Sequence, residues 1–277
     1  ISIGTGGPFG AEGPIIATGG ALGSTLGQLI KISHYERKIL LAAGATAGMS
    51  AIFGSPLAAI FLAVELLLFE FSSKSIIPVA IACITGAAGH HFLFDAGVTF
   101  PMPDFAFPDN SALAIYTGIG LLVGVISVGV SKAVYIIEEW FEKIPVHWMW
   151  WPAIGGLVVG VVGYFAPHTL GVGYDNISNL LSGNMGMQVI LSLCIMKFIS
   201  WAIALGSGTS GGTLAPLLTI GGATGSLIGL LIVQLFPGTE ISIPLTALVG
   251  MAAMFAGASR ALLTSIIFAL ETTMQSN

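Results

Sequence analysis

The chain has 277 residues, 55% of them hydrophobic and only 8% charged, with a formal net charge of −5 and a mean hydropathy of +0.96. An ordinary soluble domain is about one-quarter charged, so the solvent for most of this surface is lipid. The two cysteines, Cys83 and Cys194, both lie in apolar runs, read as packed thiols and imply no oxidising compartment.

Taken in order, Gly4 to Ser24 opens as a glycine-rich loop and passes through Pro14 into an apolar, small-residue helix. Proline is favoured at a helix start because the N–H it lacks would be unpaired there. A connection with Lys31, Arg37 and Lys38 follows, then the charge-free run Ile39–Val64. That run exceeds the ~20 residues of one membrane span, and Gly54-Ser55-Pro56 interrupts it, so it reads as a helical hairpin ending in Glu65. Further helices are expected over 76–94, 110–142, 148–166 and 186–205. Between them lies the Asp95–Asp109 connection, with three Asp and no basic residue, which suits the outside. Trp148, Trp150 and Trp151 read as an interfacial aromatic belt.

Residues 206–226 then repeat residues 4–24 without gaps at an offset of 202: Gly4 meets Gly206, Gly10 meets Gly212, Pro14 meets Pro216, and Gly19-Gly20-Ala21 meets Gly221-Gly222-Ala223. Gly48-Met49 and Phe53 match Gly250-Met251 and Phe255 at the same offset, and after a four-residue insertion Leu57, Ile60 and Glu65 match Leu263, Ile266 and Glu271. Residues 1–277 therefore read as one transmembrane domain, expected to be incomplete at both ends. Its parts are a first repeat at 1–73, connecting helices at 74–185 and a second repeat at 186–277. Lys31, Arg37, Lys38, Lys74 and the Lys132–Lys143 segment mark a cytoplasmic side. The second-half equivalent of the Lys31–Lys38 connection, Phe236–Ile243, holds Glu240 and no basic residue. The bias inverts, as in an inverted-topology pair.

Two helix N-termini in related halves suggest an anion site. Backbone N–H groups at a helix start carry about half an elementary charge; they replace water without trapping the ion, where a full Lys or Arg charge would hold it too tightly. Side chains at Ala11, Gly13, Thr213, Leu214 and Ala215 can then be small or apolar, because the main chain donates. Glu12, in the first helical turn, can compete with the permeating anion as a tethered one and vacate the site when protonated. An ionisable residue at membrane depth is a functional candidate; the plainer alternative is an acid that merely complements the dipole, worth about 0.3–1 kcal/mol. Its counterpart is Leu214, so only one half carries a gate.

Gly10-Ala11-Glu12-Gly13-Pro14 resembles the GxEGP signature of the CLC family of chloride channels and proton/chloride antiporters. The segment Gly206-Ser207-Gly208-Thr209-Ser210-Gly211-Gly212-Thr213-Leu214-Ala215-Pro216 resembles the family's GSGxxGGxFxP signature, with Leu214 where Phe is usual. The hairpin Gly44–Glu65 is similar to the segment following the first signature, while the family's serine-bearing GSGxP loop would precede Ile1 and its final helix would follow the last residue. The resemblance implies an all-α, polytopic membrane protein with discontinuous helices, not an enzyme, embedded in a lipid bilayer as a homodimer with a pore in each subunit. Candidate dimer contacts are the apolar helices over 76–94 and 243–274. It also implies transport of chloride or another small monovalent anion past a gate at Glu12. The anion would be bound by the backbone N–H groups of Ala11, Glu12, Gly13, Thr213, Leu214 and Ala215.

In members that exchange protons, a second Glu usually follows the position of Glu65. Here it is Leu66, which cannot relay a proton. The expectation is therefore passive or weakly proton-coupled conduction of the voltage-gated chloride channel type. Proton/chloride antiport, with protons as second substrate, is the alternative, and a non-transporting sensor or scaffold is the reading from another class. Glu65 or Glu70 could stand in for the missing carboxylate. Glu65 could instead be structural, since Glu271 matches it, either paired with Arg260 or capping a packed helix end. Lys197, alone between two apolar runs, is expected to be paired or snorkelling, with a lesser claim to add positive potential near the pathway. No cofactor is expected. His90-His91 lack further ligands at metal spacing, and neither a phosphate loop, a catalytic Ser/His pair nor a nucleic-acid patch stands out.

Overall fold

The computed structural model describes residues 1–94, 97–103 and 108–273. Asp95 and Asp104, two of the three acids of the connection expected outside the membrane, fall outside the described residues. Among the described residues there are eleven α-helices and no named strand, only one isolated antiparallel bridge. Among the described residues, five helical segments are long and apolar enough to span a bilayer: Ser73–Leu93, Asn110–Lys143, Trp148–Phe165, Met187–Gly206 and Leu214–Leu235. The backbone divides into two compact units, which do not follow the repeat boundary.

One unit comprises Glu12–Pro101 and Ala261–Asn277. It holds α1 (Glu12–Leu29), α2 (His34–Phe53), α3 (Pro56–Leu62), α4 (Ser73–Leu93) and α11 (Leu262–Thr273). A capping box starts α2: the Ser33 hydroxyl accepts the Glu36 N–H while the Glu36 carboxylate accepts the Ser33 N–H at 2.9 Å. Gly54, with φ 61°, ends α2 in the left-handed conformation that glycine adopts without penalty, and Pro56 restarts the chain as the first residue of α3. Beyond Leu62 the helix loosens into a π turn over Ala63–Leu68, so Glu65 lies inside that turn rather than at the helix end expected. Helices α1 and α2 meet through glycine: a methyl group on Gly19 or Gly44 would collide with the other's carbonyl. Such backbone approach is how apolar helices associate in lipid, where hydrophobicity gives no drive between them. Helix α4 joins α2 through the Ser50 hydroxyl, which donates to the Cys83 carbonyl at 2.6 Å.

The other unit comprises Ile1–Ala11 and Met102–Arg260. It contains α5 (Asn110–Lys143), α6 (Trp151–Phe165), α7 (Tyr174–Leu181), α8 (Met187–Gly206), α9 (Leu214–Leu235) and α10 (Ile243–Ser259). Its core gathers Phe9, Ile119, Val123, Trp201, Leu217 and Met254. The eight-residue α7 was not expected from sequence; Ile177, Leu180 and Leu181 bury one face at helical spacing. The glycine device recurs between α9 and α10, where side chains at Gly221, Gly225 or Gly250 would strike the facing backbone. Even the hairpin joint recurs. Arg260 takes φ 60° and its N–H bonds the Ala256 carbonyl at 2.8 Å, just as Gly54 bonds Ser50 at 2.9 Å, 206 positions earlier.

Candidate functional site

The two glycine loops pair with each other. The Gly10 N–H donates to the Gly212 carbonyl at 2.9 Å, and the Gly212 N–H returns the bond to Gly10 at 3.2 Å. The partners are themselves repeat equivalents, 202 positions apart, and a reciprocal bond between equivalent residues places a local two-fold relation at the bridge. Glycine is needed here for specific reasons. Gly208 holds φ 80°, which side-chain-bearing residues adopt only with strain. A Cβ at Gly211 would enter the ring of Phe9, which is fully buried. Gly206 lies against Ile137, and Ser207, whose hydroxyl donates to the Ala204 carbonyl at 2.7 Å, lies against Gly155. Two cavities flank the paired loops, one of about 420 Å³ beside Thr5, Phe9 and Thr209 and one of about 350 Å³ beside Gly206, Thr213 and Trp201.

Two residues after each bridging glycine a helix begins, with Glu12 as the first residue of α1 and Leu214 as the first residue of α9. Pro14 and Pro216 are each the third residue, where an N–H would still lack an intrahelical acceptor. Glu12 is 2% exposed, Leu214 8% and Ala215 fully buried. Ala11 and Gly13 are half-buried and Thr213 is exposed. Sequence reasoning missed Phe9 as the wedge under Gly211; the signal for it was a bulky residue beside an otherwise small-residue motif.

Glu65 settles between its two structural alternatives. Its carboxylate accepts the N–H groups of Leu263 at 3.0 Å and Thr264 at 2.8 Å, and the Thr264 hydroxyl at 2.7 Å. It therefore caps the start of α11, the packed helix end of the two structural alternatives. Glu271 returns the arrangement, accepting the N–H groups of Leu57 at 3.0 Å and Ala58 at 2.7 Å at the start of α3. Donors and acceptors on both sides are repeat equivalents, giving a second two-fold exchange. Leu66 is half-buried beside Glu65. Glu70 lies beyond the π turn and accepts the Tyr35 hydroxyl at 2.7 Å. That bond, with help from Ser75 and the Lys38 charge, keeps its carboxyl below the usual range. Lys197 is fully buried and does not snorkel: its ammonium donates to the carbonyls of Thr169 at 2.9 Å and Gly171 at 2.8 Å.

Apolar spanning helices, helices broken at Gly54-Ser55 and Gly206–Thr213, and two reciprocal bonds between repeat equivalents define an integral, multi-pass α-helical membrane protein built as an inverted repeat. The family model described as voltage-gated chloride channel matches residues 1–277, and the chain belongs to that family. It is similar to the H(+)/Cl(-) exchange transporter ClcA of Vibrio cholerae serotype O1, 29% identical over 280 residues that cover 98% of this chain and 60% of that protein. It is also similar to ClcA of Yersinia pestis bv. Antiqua, 31% identical over 281 residues, 98% of this chain and 58% of that one. The chain thus spans about 60% of the length of these curated relatives. Among solved structures, that of a slow cyanobacterial Cl-/H+ antiporter superposes with a TM-score of 0.89 at 25% identity, over 98% of this chain and 65% of that one.

Proposed function

We propose that this chain forms the central part of a transporter that exchanges chloride, or a related small monovalent anion, for protons. Glu12 gates it, and the backbone N–H groups of Ala11, Glu12, Gly13, Thr213, Leu214 and Ala215 bind the anion. The observation that carries this reading is the Gly10–Gly212 bridge, two residues beyond which each loop becomes a helix start. Two positive helix ends of this kind hold a small anion through partial charges, strongly enough to enter and weakly enough to leave. Glu12, the only acid in the first turn of α1 and nearly inaccessible, is a tethered anion of the same charge as the cargo; protonation removes its claim to the site. The shaping residues are Gly10, Pro14, Gly206, Ser207, Gly208, Gly211, Gly212 and Pro216. The working assembly is a homodimer in lipid, for which the exposed Ile77, Ile81 and Ile84 of α4 and Leu263, Ile266 and Leu270 of α11 offer apolar faces.

Exchange is favoured over the channel-type conduction expected from Leu66, because the relatives at 29–31% identity carry the name of proton/chloride exchange transporters. Uncoupled conduction keeps one specific observation, Leu66 itself. The deciding experiment uses the full-length protein in liposomes with an imposed chloride gradient. Chloride leaving should drive protons inward against their gradient. Glu12→Gln and Glu12→Ala should abolish the proton movement and most of the pH dependence while anion flux persists. A zero-current voltage that ignores the pH gradient would establish a channel, and absence of any anion flux would leave the non-transporting scaffold.

A further inference from the structure

One helix, α8, is linked to both glycine loops. Its C-terminal residue is Gly206, so it delivers the second loop directly. Nine residues earlier it carries Lys197, whose amine is buried inside a membrane-depth helix, where an isolated charge is costly and persists for a purpose. Both of its hydrogen bonds go to one short turn, the carbonyls of Thr169 and Gly171. That turn is bent by Gly171 at φ 69° and Gly173 at φ 81°, and a side chain at Gly173 would come within 3.4 Å of the Lys197 Nζ. On its other side the Gly171 N–H donates to the Gly6 carbonyl at 2.9 Å. Leu170 packs against Gly6, itself at φ 97°. Gly6 lies in the loop that reaches the bridge at Gly10.

We propose that Lys197 is the positioning residue of the first glycine loop: from within α8 it clamps the 169–171 turn, and through the Gly171–Gly6 bond it fixes the loop that runs into Glu12. Without the amine, two inward-facing carbonyls lose their donors, and the turn gains by rotating toward other partners. Gly6 would follow, because its carbonyl is held by the N–H of that same turn. The clamp itself stands on these contacts alone; its effect on transport rests on the proposed function.

The test is hydrogen exchange on the full-length protein in nanodiscs, paired with flux measurements. In the wild type, segments 4–10 and 166–173 should open as one unit. Lys197→Met, which keeps the length and removes the donors, should speed exchange about tenfold in both and leave α2 unchanged. Lys197→Arg, which restores donors, should recover part of that protection. In liposomes Lys197→Met should raise the chloride concentration for half-maximal flux several-fold while the pH dependence conferred by Glu12 remains. A merely structural lysine would lower stability without moving that concentration. Unchanged exchange over 4–10 in folded Lys197→Met would overturn the clamp, and so would unrelated opening of the two segments in the wild type, a measurement that decides the matter even if neither variant folds. If the wild type moves no anion, the transport reading fails and the exchange data still decide the clamp. If Glu12→Gln behaves as expected while Lys197→Met alters neither exchange nor half-saturation, the clamp alone fails.

Discussion

At Gly54 and Arg260 the two repeats make the same left-handed turn with opposite residue types. A non-glycine residue in that conformation costs about 1–2 kcal/mol, and a Cβ at Gly54 would meet the His90 ring at 3.2 Å. Gly54→Ala should therefore destabilise by about 1–2 kcal/mol. Arg260→Gly gains the conformational relief but loses about 0.5–1 kcal/mol to glycine's freedom in the unfolded chain, so its melting temperature should stay close to the wild type. Thermal unfolding of both variants in one detergent checks the contrast. The glycine in the first joint was legible in the sequence as a breaker before Pro56. The second joint was not, because arginine, unlike glycine, advertises no left-handed turn, although it stands at φ 60°.

The ends of helices carry the next level of prediction. Glu65 and Glu271 each satisfy two N–H groups of a helix start, and losing such a cap costs about 1–2 kcal/mol. Glu65→Ala and Glu271→Ala should each destabilise by about that amount, with the double variant non-additive because α3 and α11 pack together. Denaturation of the four proteins reads this out. A proton-linked Glu65 would instead shift the proton-to-anion ratio in Glu65→Gln with little change in stability. Asp109 caps α5, accepting the Ala112 N–H at 2.8 Å and the Ser111 hydroxyl at 2.9 Å. Those bonds, the backbone one foremost, hold its carboxyl below its ordinary 3.8. A depressed acid contributes stability that is present above its unfolded value and lost as pH falls through the folded one. Protection of the first turn of α5 should thus persist to below pH 3.8 and then fall. Asp109→Asn, which still caps, should flatten that dependence in exchange measured across acid pH. Long apolar runs nearly free of charge made α5, α6 and α8 legible to within a few residues. The short α7 escaped because eight residues with four polar side chains carry too little apolar signal.

For the molecule as a whole, the inverted loop charges predict an orientation that can be measured. Lys31→Cys should react with an impermeant maleimide from the cytoplasmic side and Glu240→Cys from the opposite side; labelling from one side only would contradict the inversion. The duplication and its glycine loops could be read because equivalent residues keep a constant offset. The Glu65 and Glu271 exchange could not, since a carboxylate's partner about 200 positions away leaves no local pattern. That exchange also sets a timetable. Leu57 and Ala58 emerge from the ribosome first, and the Glu271 that accepts their N–H groups is made some 214 positions later. At about 5–20 residues per second the delay is roughly 10–40 s. Glu65, in contrast, is already waiting when α11 is synthesised. The chain can therefore close α11 as soon as it is made, while the start of α3 stays open, with two bare N–H groups, until the second copy of its own hairpin arrives.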